Sequence, residues 1–112
     1  MSWIRVASVD ELTDDVPLAV DVPVDGDELP LAIVRHQGAL YAIWNECSHG
    51  NVELSEGDVA DGAIECYLHG SRFSLATGEP LTMPATQPVR VFPARIDGDD
   101  VLVDVANPTE DF

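Results

Sequence analysis

The chain contains no lysine. Its positive charge comes from five arginines, set against 21 aspartates and glutamates in 112 residues, for a formal net charge of −16. That balance argues against a nucleic-acid-binding face and against adsorption to anionic membranes, since both need clustered cations. It suits a protein partner with a basic docking face, because complementary fields speed encounter. It equally suits a small protein kept soluble by its charge, or adaptation to a salty cytoplasm, and composition does not separate these from docking. Long apolar runs are missing as well. Hydrophobic residues make up 46% of the chain, yet no run approaches the ~20 residues of a membrane span. The amino terminus, Met1-Ser2-Trp3-Ile4-Arg5, lacks a basic segment followed by an apolar one, so no signal peptide is expected. There is no Gly-x-Gly-x-x-Gly run for a dinucleotide and no Gly-x-x-x-x-Gly-Lys phosphate loop. No internal repeat or low-complexity stretch is present. The length corresponds to one domain, 1–112, too small for a second catalytic module.

Long helices are excluded too, because eight prolines and eight glycines interrupt the chain too often. What remains reads as short strands between turns, an all-β pattern. The expected strands are Trp3–Ala7, Leu18–Val22, Leu31–His36, Ala39–Trp44, Ala63–Tyr67, Arg72–Leu75, Val89–Ile96 and Val101–Val105. Gln37-Gly38 reads as a hairpin turn, and Asp97-Gly98-Asp99-Asp100 as another, with glycine supplying positive φ. Ser8 is placed to cap a short helical turn with Asp10 and Glu11 in it. Asp21–Leu29 reads as an acidic surface loop, and the polar segment 106–112 as a loose tail. Trp3, Tyr41, Trp44 and Phe92 are expected in the core. His36, beside a turn, is expected at the surface.

Cysteine and histidine are scarce, and their placement is informative. Both cysteines and two of the three histidines fall into Cys47-x-His49 and Cys66-x-x-His69, each followed by glycine. Two such loops side by side offer two thiolates and two imidazoles to a metal, which suits zinc or an iron–sulfur centre. A disulfide would be possible in an oxidising compartment, but the place of both cysteines in the motif argues for thiolate ligands in a reducing cytoplasm. Cys2His2 zinc fingers usually open with two cysteines and close with two histidines. Here the order is interleaved, which fits a centre where two cysteines hold one iron and two histidines the other.

At this motif the chain resembles the Rieske ferredoxin family, and the resemblance runs over nearly its whole length. Asn45 to Gly57 (NECSHGNVELSEG) resembles the family's first cluster loop and the turn after it. Glu65 to Gly78 (ECYLHGSRFSLATG) resembles the second loop and its hairpin, and Met83 to Pro88 (MPATQP) the proline loop that covers the cluster. Tyr67 departs from the pattern, standing where members usually carry proline. The resemblance implies a Rieske-type antiparallel β-sandwich or barrel framework with an inserted two-loop subdomain at about 45–75. It implies one [2Fe-2S] cluster held by Cys47, His49, Cys66 and His69. Gly50 and Gly70 would let the backbone approach the cluster and aim N–H groups at sulfur, and Pro84 would shield it from water.

The resemblance also bears on redox potential. High-potential members clamp the two loops with a disulfide, and the corresponding positions here are Val52 and Leu68. A tyrosine hydroxyl that bonds sulfur is replaced by Phe73, whereas the serine position is kept by Ser71. A low-potential centre is therefore expected, within the range of about −150 to +300 mV known for Rieske clusters. A solvated turn serine at position 71 would fit the sequence equally well. The implied function is one-electron transfer from a flavin-dependent ferredoxin reductase to a non-haem iron oxygenase component. No small-molecule substrate is expected: a mononuclear oxygenase site needs more histidines than His36 alone supplies. Rival readings are an accessory protein of iron–sulfur cluster assembly, a zinc-binding interaction domain, and the ligand-poor small subunit of nitrite reductase.

Overall fold

The computed structural model describes residues 3–24, 26–47, 52–67, 70–82 and 87–105. Among these residues ten strands, β1 (Trp3–Ser8), β2 (Leu18–Val24), β3 (Asp27–His36), β4 (Ala39–Trp44), β5 (Val59–Ala60), β6 (Ala63–Glu65), β7 (Arg72–Ser74), β8 (Val91–Phe92), β9 (Ala94–Asp97) and β10 (Asp100–Asp104), form three antiparallel sheets. Their orders are β1-β10-β9, β2-β3-β4-β8 and β5-β6-β7. Among the described residues the only helical pieces are two 3₁₀ turns, Val9–Glu11 and Leu54–Glu56, and no helix is long and apolar enough to cross a membrane.

The four-stranded sheet is the middle layer. Along β3, Leu31 and Ile33 join one buried cluster with Ala7, Val101 and Val103 of the first sheet, while Ala32 and Val34 join a second. The second cluster holds Ile64 and Phe73 of the small sheet. β4 divides its side chains likewise, Ala42 to the first cluster and Ile43 to the second, and β8 sends Phe92 and Val91 to them in turn. Burial on both faces explains the uninterrupted run Leu31-Ala32-Ile33-Val34, since a strand with one wet face would alternate. The small sheet is inserted in sequence between β4 and β8.

The expected hairpin turns form. Gln37 and Gly38 both have positive φ, +52° and +81°, between β3 and β4. Gly98, at φ +63°, turns β9 into β10 with Asp97 opposite Asp100. Ser8 caps the first 3₁₀ turn: its hydroxyl accepts from the Asp10 N–H and its own N–H donates to Glu11.

Several expectations give way. Asp21–Leu29 is not a surface loop: β2 runs to Val24 and β3 starts at Asp27, with Val22 opposite Leu29 and Gly26 turning at φ +86°. Acids and prolines suggested a loop, but β2 is an edge strand, where Pro23 and outward carboxylates are tolerated. The expected strand Val89–Ile96 splits at Pro93: β8 joins the middle sheet and β9 the outer one. Trp3 is half-buried rather than core, with the Arg95 guanidinium 4.5 Å above its ring. Tyr41 and Trp44 are partly buried against the second cluster, whereas Phe92 is in the core as expected. His36 is not at the surface; it is 5% exposed, because two segments distant in sequence close over the end of β3. The expected loose tail, 106–112, lies outside the described residues.

Candidate metal centre

The first loop leaves the end of β4. Asn45 is buried and works in both directions: its N–H donates to the Pro30 carbonyl at 3.0 Å, and its Oδ1 accepts from the Ser55 N–H at 2.7 Å. It therefore brackets the loop from behind. Inside the bracket the Cys47 N–H donates to the Val52 carbonyl at 3.0 Å, closing the loop on itself. The 3₁₀ turn follows, with Leu54 fully buried, and Gly57 comes hard against the second loop's approach. A Cβ at Gly57 would lie 1.6 Å from the Glu65 carbonyl oxygen, and the Glu65 N–H donates to Asp58 at 2.8 Å. The two loops are thus pinned back to back just before Cys66.

The second loop joins β6 to β7 and repeats the same closure. The Cys66 N–H donates to the Ser71 carbonyl at 2.7 Å, and the Gly70 N–H to the Cys66 carbonyl at 2.9 Å. Gly70 sits at φ +76° with nothing within 4 Å of a would-be Cβ. Glycine is required there for backbone conformation, and its N–H is directed at Cys66 rather than into a cluster. Ser71 is fully buried, which removes the reading as a solvated turn serine. Thr82 ties this loop to the segment after it: its hydroxyl accepts from the Arg72 N–H at 2.9 Å and donates to the Gly70 carbonyl at 3.4 Å.

Cys47 and Cys66 are 3% and 0% exposed, unbridged, and part of one buried cluster with Leu54, Ile64, Phe73 and Val91. Two buried cysteines without a disulfide, heading two similarly closed loops in an apolar setting, are a donor set that fits a thiolate-held iron. Val52 packs half-buried against that cluster, and Phe73 fills its interior without a hydroxyl. Of the other residues singled out in the sequence, His49, His69, Gly50, Leu68 and Pro84 lie outside the described residues. Among the described residues, which include Cys47 and Cys66 but neither His49 nor His69, no group of three His, Cys, Asp or Glu side chains is arranged to hold a metal. The rim of the site is apolar and acidic: Tyr67 and Leu81 are 54% and 53% exposed, and Glu46, Glu53, Glu56 and Glu79 face solvent. Sequence reasoning missed Asn45, Thr82 and the close contact at Gly57. Only the turn after the first loop, noted as a family feature, hinted at the last.

Paired cysteine loops standing on an antiparallel β framework fit the class of iron–sulfur electron carriers. The chain belongs to the Rieske [2Fe-2S] domain family, which matches residues 2–93, and carries a single [2Fe-2S] cluster. It is 43% identical over 103 residues to the anthranilate 1,2-dioxygenase ferredoxin subunit of Burkholderia cepacia, with 92% of each chain covered. Among solved structures, the ferredoxin of carbazole 1,9a-dioxygenase from Nocardioides aromaticivorans IC177 matches with a TM-score of 0.80 and 40% identity, covering 92% of this chain and 97% of that one. A chain of the complex of reduced oxygenase and oxidized ferredoxin in carbazole 1,9a-dioxygenase matches with a TM-score of 0.80 and 32% identity, covering 92% of this chain and 93% of that one. The chain is an electron carrier rather than an enzyme in its own right.

Proposed function

We propose that this protein is the ferredoxin component of a multicomponent oxygenase, working as one domain in the cytoplasm. It takes one electron from a flavin-dependent reductase and delivers it to a non-haem iron oxygenase component. Cys47 and Cys66 hold one iron and His49 and His69 the other. The observation that carries this reading is the pair of buried, unbridged thiols, each heading a loop closed by its own N–H. The similarity to ferredoxin subunits of dioxygenases supports the choice of partners and does not favour a role in cluster assembly. Both thiolate ligands and neutral imidazoles are chemically apt, because with ferric ions and sulfides they sum to an uncharged cluster. When bound, that cluster accepts one electron more readily than a four-cysteine centre.

The chain's own residues set the surroundings. Phe73 brings no hydroxyl and Val52 offers no sulfur for a clamp, which supports a low-potential centre; among the described residues, buried Ser71 is a hydroxyl whose position would oppose that trend. Leu54, Ile64 and Phe73 keep water from the cysteine side.

Purified protein is expected to be red-brown, with two irons and two acid-labile sulfides per chain. Cys47→Ser and Cys66→Ser are each expected to abolish the visible absorption. A colourless protein with one tightly held zinc would overturn the assignment and leave the zinc-binding reading. The partner assignment is tested separately, by following reduction with a flavin reductase and reoxidation by an oxygenase component in rapid-mixing absorbance. Failure of a cluster-loaded protein to exchange electrons with either component would count against it alone.

A further inference from the structure

His36 is a buried histidine that the metal centre does not use. Its Nδ1 lies 2.6 Å from Asp15 Oδ1, and its Nε2 accepts from the Gly62 N–H at 3.0 Å. A backbone amide only donates, so Nε2 must present its lone pair. The ring proton is therefore on Nδ1, where it donates to the Asp15 carboxylate. Geometry thus assigns one tautomer of the neutral ring.

Three pieces of chain meet at this imidazole. The first is the end of β3. The second is the loop around Asp15, whose residue 15 has φ +61° and donates its N–H to the Arg35 carbonyl at 2.8 Å. The third is the β5–β6 turn, with Asp61 and Gly62 at φ +53° and +76°, which leads through β6 directly to Cys66. The Gly62 carbonyl is held from the other side by the Leu75 N–H at 3.0 Å. His36 is therefore a side-chain link between the framework and the hairpins that carry the second cysteine. The charged groups around it are few. Asp15 faces the ring; Asp14, in the same loop, is taken by Arg35; Asp61, on the turn, is exposed. From β4 the residue opposite is Ala39, and Arg72 on β7 is turned to the Ala60 carbonyl.

We propose that His36 is a proton-sensitive peg that fastens the cysteine-bearing hairpins to the β framework and lets them go when its ring is protonated. A proton taken from solvent would go to Nε2, turning the acceptor into a donor that faces another donor, the Gly62 N–H. That hydrogen bond is lost. The bond to the Asp15 carboxylate gains a second charge, becoming an ion pair, and tightens, so the ring stays with the framework and the turn is what is released. Acid then opens the hairpin sheet locally while the two larger sheets remain folded.

The test is a pH titration of the oxidised, cluster-loaded, ¹⁵N-labelled protein by NMR. The ring ¹⁵N shifts of His36 report tautomer and protonation, and hydrogen exchange of the Gly62 amide reports the bond. The expected result is the Nδ1–H tautomer at neutral pH. On acidification, Gly62 protection should fall roughly tenfold, about the worth of one hydrogen bond, in step with ring protonation. The Ile33 amide in the middle sheet should stay protected throughout. In His36→Gln, an amide oxygen can take the place of Nε2 without titrating, so Gly62 protection, corrected for intrinsic exchange, should lose its acid step. Three results would overturn the proposal: an Nε2–H tautomer at neutral pH, Gly62 protection that does not follow ring protonation, or an unchanged acid step in His36→Gln. The wild-type titration needs no substitution and decides even where the variant fails to fold.

Discussion

A methyl group on Gly57 would sit 1.6 Å from the Glu65 carbonyl oxygen, whereas one on Gly70 would meet nothing within 4 Å. Both glycines flank the cysteine loops, yet they are constrained differently. Gly57 has ordinary extended backbone and is held by space; Gly70, at φ +76°, is held by conformation. Gly57→Ala is expected to push the loops apart, costing about 1–3 kcal/mol as overpacking does and speeding cluster loss in air. Gly70→Ala should cost about 1–2 kcal/mol, the strain of a left-handed residue with a side chain. Thermal unfolding measures the first quantity and decay of the visible absorption the second; equal cluster lifetimes in wild type and Gly57→Ala would contradict the pinning of loop to loop. Asn45 offers a second residue-scale test. Asn45→Ala removes the acceptor of the Ser55 N–H, and leaving such a donor unpaired costs about 1–3 kcal/mol. Its effect should appear in the same two measurements. The roles of Gly57 and Asn45 do not show locally, because each depends on a carbonyl or amide placed by another segment.

At the level of elements, β3 divides its neighbours between two interiors. Ile33 points into the cluster shared with the outer sheet and Val34 into the one that contains both cysteines. Ile33→Ala is expected to lower global stability by about 2–5 kcal/mol, seen as a lower urea midpoint, with cluster lifetime in native buffer little changed. Val34→Ala removes less volume but should shorten that lifetime, because its cavity opens in the cluster that holds Cys47 and Cys66. The reverse ranking of lifetimes would show that the two cores are not separable. The turns of these elements were legible in advance: Gln37-Gly38 and Asp97-Gly98 carry their conformation in their own residue types. The β2–β3 hairpin was not. Its prolines and carboxylates read as loop, and only its position at a sheet edge makes them compatible with a strand.

For the whole molecule, the dominant property is a net charge of −16 with no lysine. Of the five arginines, Arg5 and Arg35 are paired with Asp100 and Asp14, Arg72 is bound to a carbonyl, and Arg95 lies over Trp3. Little positive charge is left to offset the acidic rim of the cysteine loops. Electron transfer to a partner with a basic face should therefore slow as salt is added, since the Debye length shrinks to about 8 Å near physiological ionic strength. Rapid-mixing rates measured from low to moderate salt check this. Rates that do not respond would leave solubility as the use of the acidity.

The sequence alone determined the family, because Cys47-x-His49 and Cys66-x-x-His69 state a ligand chemistry in residue type, order and spacing, none of which needs a fold to be read. It also determined the all-β class, through turn residues that carry their own backbone preference and breakers that forbid long helices. Only the tertiary structure decided that His36 is buried, that Pro93 divides one apolar run between two sheets, that the middle sheet serves two cores, and that Gly57 and Asn45 brace the cysteine loops. The reason is range. Backbone preference and ligand type act within a few residues, whereas burial of a polar ring or contact of a Cα with a distant carbonyl depends on which segments the hydrophobic clusters bring together.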